Sequence, residues 1–118
     1  MNDRTLTAFT AAYIEALFFT DTGDQDQPPA DSILSPEAKE AIREDCNAFL
    51  DKHSGLILQT PHSFEKAAHD FWFTRNGHGV GFWDGDWPEP QATQLTDAAQ
   101  AFGQCDTYQG DDGLIYLA

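Results

Sequence analysis

The stretch Phe64-Glu65-Lys66-Ala67-Ala68-His69-Asp70-Phe71-Trp72 decides the fold. Phe64, Ala67, Ala68, Phe71 and Trp72 fall at i, i+3, i+4, i+7 and i+8, which is one apolar face of a 3.6-residue helix. Thr60-Pro61 opens this helix, and the pattern stops near Arg75-Asn76-Gly77. Glycines then alternate with larger residues in Gly77-His78-Gly79-Val80-Gly81-Phe82-Trp83, which reads as a tight turn entering a strand, Val80 to Trp83. A helix that runs straight into a strand through a glycine turn points to an α+β domain.

Working outward, the same periodicity recurs on both sides. Leu6, Phe9, Tyr13, Ile14, Leu17 and Phe18 form the apolar face of a first helix, Thr5 to Phe19. The segment 20–32 carries Asp21, Asp24, Asp26 and Asp31 with Pro28-Pro29 and has little to bury, so it reads as an acidic mobile loop. A second helix starts at Ser35-Pro36-Glu37, with Ser35 as N-cap and Pro36 in the first helical position. Its stripe is Ala38, Ala41, Ile42, Cys46, Phe49 and Leu50, and Gly55 marks its expected end, followed by a short apolar connector, Leu56-Ile57-Leu58. After the acidic loop Asp84-Gly85-Asp86-Trp87-Pro88-Glu89-Pro90 a fourth helix runs from Gln91 to Phe102, with Leu95, Ala98, Ala99 and Phe102 inward. Thr107-Tyr108 and Leu114-Ile115-Tyr116-Leu117 flank Gly110-Asp111-Asp112-Gly113, a C-terminal β-hairpin. The expected fold is about four helices packed on a small antiparallel sheet of about three strands, in one domain spanning 1–118.

Charge narrows the function. The 118 residues are 41% hydrophobic and 13% aromatic, enough for a core, but 20 acids face six Lys/Arg for a net charge of −14. A direct nucleic-acid binder needs a basic patch, and an anionic membrane repels this chain for the same reason. No apolar run approaches the ~18 residues of a membrane span. Met1-Asn2-Asp3-Arg4 lacks the layout of an export signal, so the expected setting is cytoplasmic, with Cys46 and Cys105 as reduced, buried thiols. After Arg75 there is no Lys or Arg, while Asp84, Asp86, Glu89, Asp97, Asp106, Asp111 and Asp112 follow.

Two readings of that asymmetry stand side by side. One is solubility. The other is a surface that imitates nucleic acid. Duplex DNA carries one negative charge per ~1.7 Å of axis, so a domain about 35–40 Å across matches a piece of DNA with roughly 20–24 charges. On this reading Asp84, Asp86, Glu89, Asp111 and Asp112 meet the Lys/Arg of a partner, and Trp87, an aromatic in an acidic loop, is the apolar anchor. Trp87 reads equally well as a lid on the core.

The run Ala68 to Asp84, with Leu95 to Gly103 and Tyr108 to Tyr116, resembles a family of small, poorly characterised acidic proteins carried by bacteriophages and bacterial mobile elements. The resemblance covers about the C-terminal half. It implies a setting, the cytoplasm of a bacterial host, and by analogy a role as inhibitor of a host defence or nucleic-acid-handling protein. It supplies no catalytic residue. The leading expectation is therefore a binding protein rather than an enzyme, monomeric or homodimeric, that occupies the basic surface of such a protein without touching nucleic acid or membrane itself.

The residues offer other chemistry as well. His69, Asp70, Arg75 and His78 are an alternative polar pocket for a small enzyme or ligand-binding domain near the glycine turn. The plainer reading makes Asp70, Arg75 and His78 a buried cluster pinning helix to strand. His62, Glu65 and His69 share a helix side, but His62 and His69 are two turns apart, about 10 Å, too far for one zinc ion. The Asp24/Asp26 and Asp84/Asp86 pairs lack the twelve-residue calcium-loop pattern. No metal and no cofactor is implied. A third reading is a structural or regulatory oligomer joined through its aromatics.

Overall fold

The computed structural model describes residues 3–18, 34–77, 81–105 and 107–117. The expected acidic loop at 20–32 and His78 lie outside the described residues. The elements are α1 (Asp3–Leu17), α2 (Pro36–Leu58), α3 (Phe64–Arg75), α4 (Gln91–Gln100), β1 (Thr107–Gln109) and β2 (Ile115–Leu117). The four helices pack with a two-stranded antiparallel sheet near the C-terminus, an α+β arrangement.

Among the described residues the sheet has two strands, where about three are expected. The expected strand at 80–83 fails over its described part, Gly81 to Trp83, which forms turns around the end of α3. The physical reason is local. Thr74 near the end of α3 accepts the backbone N–H of Phe82 on its hydroxyl at 3.1 Å, and a methyl group at Gly81 would overlap that hydroxyl. Gly81 thus lets the chain fold back closely on the helix it has just left. Phe82 goes fully into the core, while Trp83 stays 52% exposed.

Caps decide the helix ends. Ser35 accepts the Ala38 N–H at 3.0 Å with Pro36 next to it, as its sequence suggests. Gly55 does not stop α2, which continues to Leu58 because Ile57 is buried against the core. The expected extended connector at 56–58 is therefore helical. Thr60 closes α2 instead of opening α3: its hydroxyl donates to the Ile57 carbonyl at 2.7 Å. Ser63 is the N-cap of α3, accepting the Lys66 N–H at 3.1 Å.

The core is aromatic. Phe49 of α2 stacks on Phe71 of α3 with centroids 4.2 Å apart and planes 14° apart. Phe9 and Tyr13 of α1 pack on Phe71, and Phe82 stacks on Phe49. The apolar faces read from the sequence supply this core; Leu6, Phe9, Tyr13, Leu17, Ile42, Cys46, Phe71, Trp72, Leu95 and Ala99 are all buried.

The hairpin pairs Thr107 with Leu117, Tyr108 with Tyr116 and Gln109 with Ile115. Its turn is held by Gly110 N–H to Leu114 carbonyl at 2.8 Å, with Gly113 at φ 83°. Ser35 donates its N–H to the Ile115 carbonyl at 2.9 Å, which ties the hairpin to the start of α2.

Candidate functional site

Of the alternative polar pocket, His69, Asp70 and Arg75 are described and do not converge; His78 lies outside the described residues. His69 is half-buried on α3 and its Nε2 lies 3.0 Å from Glu15 of α1. Asp70 is buried and faces the other way in its partners: Trp87 Nε1 donates to its Oδ2 at 2.6 Å and Lys66 lies 3.3 Å away. Arg75 is 7% exposed and is spent on the inside of the fold. Its guanidinium donates to the Phe102 and Gly103 carbonyls, the Tyr13 hydroxyl and Asp45, all within 3.1 Å. It also lies over the Phe71 and Phe102 rings at 5.7 and 5.6 Å. Asp70 and Arg75 are each buried polar groups of α3, but with separate partners rather than in one cluster.

Burial pushes the Asp70 carboxyl above its ordinary range, against the opposing pull of the Trp87 hydrogen bond and the Lys66 charge. Burial likewise pushes the Cys46 thiol up to about 12. Both cysteines are free and buried. Among the described residues no group of three or more His, Cys, Asp or Glu is placed to hold a metal ion. His62 instead packs on the Trp87 ring at 4.6 Å, with Nε2 2.7 Å from the Asp86 carbonyl.

Trp87 is not the exposed anchor that its acidic loop suggests. It is 3% exposed, so it is a lid on the core and cannot anchor a partner. Its ring meets Phe82 edge-on at 5.0 Å, and its N–H is used by Asp70. A Trp beside acids in a loop looks like a surface feature, but Asp70, the one buried carboxylate among the described residues, is its partner. Among the described residues of this region the exposed aromatic is Trp83.

The acids read as partner-binding are exposed but differ in what they already do. Asp84 accepts the Asp86 N–H at 3.2 Å, an Asx turn that shapes the loop. Asp86 is bridged to Lys66 at 3.2 Å, so part of its charge is balanced. Glu89 caps α4: its Oε1 accepts the Thr93 N–H at 3.0 Å and the Thr93 hydroxyl at 2.8 Å. This cap replaces the side-chain bond that Pro90, at the N-cap position, cannot make. Asp112 accepts the Tyr116 hydroxyl at 2.6 Å and the Leu114 N–H at 3.0 Å. Those two bonds hold its carboxyl below the ordinary range, and the same contact pushes the Tyr116 phenol up to about 12. Asp111 lies beside it at the hairpin tip, exposed.

Asp84, Glu89 and Asp97 have no cationic partner among the described residues. In the sequence Asp97 is one more acid of the base-free stretch after Arg75, with nothing to mark it as a site residue. The structure puts it with Glu89, Trp83, Ala92, Thr93 and Thr96 around a shallow depression of about 130 Å³. The i, i+4 spacing of Glu89 with Thr93 and of Thr93 with Asp97 was visible in the sequence and places all three on one side of α4. What was not visible is that Trp83 packs beside them.

No protein-family model matches the chain, and no curated protein and no solved structure is detectably similar to it. Its function is therefore argued from its own surface chemistry.

Proposed function

We propose that this chain is a binding protein that engages a basic protein surface through its acid-rich C-terminal half, in the manner of a nucleic-acid mimic. The observation that carries the reading is Trp83: a half-exposed indole set among carboxylates that lack a cation among the described residues, in the stretch after Arg75 that has no Lys or Arg. A protein that only needed solubility gains nothing from leaving a Trp on that face. An aromatic beside unbalanced charge is the pattern of an interface with an oppositely charged partner. Asp84, Asp86, Glu89 and Asp97 supply the field, Trp83 the apolar contact, and Asp111 and Asp112 extend the charge to the hairpin tip.

The partner class that fits is a nucleic-acid-handling or defence protein of a bacterial host, whose groove already binds polyanions. That setting rests on the sequence resemblance to phage and mobile-element proteins. Attraction between such surfaces steers association and weakens with salt. The dispersal of His69, Asp70 and Arg75 leaves no observation that favours an enzyme.

The test is capture from a bacterial lysate on the immobilised protein, eluted by a salt gradient, with duplex DNA added to a parallel sample. A nucleic-acid-handling protein released by both salt and DNA supports the reading. A partner held through both, or none at all, contradicts it.

A further inference from the structure

We draw no further inference here: the strongest candidate, the side-chain cluster of Lys66, Asp70, Asp86 and Trp87 that straps the acidic loop to α3, is complete within the chain, since the Trp87 N–H keeps its acceptor on Asp70 in either charge state of that carboxyl, and nothing in the structure shows what would open it or take its place.

Discussion

Replacing Arg75 by Met separates a structural arginine from a functional one. Methionine keeps the length and apolar contact against Phe71 and Phe102 and deletes only the guanidinium. Four bonds are lost, to Tyr13, Asp45, Phe102 and Gly103. A bond from a charged donor is worth about 1.5–3 kcal/mol when its partner stays dry. Only Tyr13 is in that position, at 1% exposure. The Asp45 side chain is 37% exposed and rehydrates, so that pair contributes under about 1 kcal/mol. Gly103 is exposed and Phe102 half-buried, so water replaces part of those two bonds. The total comes to about 3 kcal/mol, a large share of the ~5–15 kcal/mol of a domain this size. With a urea slope near 2 kcal/mol/M, the unfolding midpoint drops by about 1.5 M. Asp45→Asn loses less than about 1 kcal/mol in the same assay. A loss below about 1 kcal/mol for Arg75→Met would refute the assignment of this residue to the core and restore it as a candidate site group.

Other consequences follow from the same geometry. Asp70 has a folded-state pKa raised by burial, so its contribution to stability is fully present below the ordinary carboxylate range and lost as pH rises through the raised value. Asp70→Asn therefore matches or exceeds wild-type stability at pH 7, and the difference shrinks on acidification; a loss above about 1 kcal/mol at pH 7 contradicts this. Tyr116, with a pKa pushed up to about 12 by Asp112, ionises late in an ultraviolet titration, and Asp112→Asn returns it toward its ordinary value. Cys46, pushed up to about 12 and buried, resists a thiol reagent at pH 8 in the native protein and reacts in denaturant. Gly81→Ala forces Thr74 aside and costs about 1–3 kcal/mol by thermal or urea unfolding.

Much of this architecture is written locally. The apolar faces of Leu6 to Phe18 and Phe64 to Trp72 are short-range patterns that supply much of the core, which Phe49 of α2 and Phe82 complete. Ser35 with Pro36 marks a helix start by chemistry that does not need the rest of the fold. Gly55 misleads because the burial of Ile57 outweighs a glycine's modest helix penalty of about 1 kcal/mol. The strand reading fails over its described part, Gly81 to Trp83, because there the chain turns back on α3 and the Phe82 N–H goes to the Thr74 hydroxyl, a contact no local pattern announces.

The site was less legible, for the same reason. Trp87 and Trp83 sit four residues apart in one acidic loop, and nothing local says which is buried. The answer comes from Asp70, 17 residues earlier, which takes the Trp87 N–H. His69, Asp70 and Arg75 are close in sequence but take separate partners, Glu15 and Tyr13 at different positions of α1 and Trp87 in the acidic loop. The local duties of Asp84, Glu89 and Asp112 as turn and cap acceptors also alter how they are tested. Charge reversal at those positions breaks local structure, whereas Asp97 and Asp111 carry charge without a side-chain bond among the described residues.

The most direct measurement is therefore lysate capture by the wild-type chain beside Asp97→Lys with Asp111→Lys, matched for fold by circular dichroism and run at low salt. The account predicts that the wild type retains a nucleic-acid-handling protein that duplex DNA displaces, and that the double variant loses it. Equal retention by both would contradict the claim that the acidic face binds a basic partner.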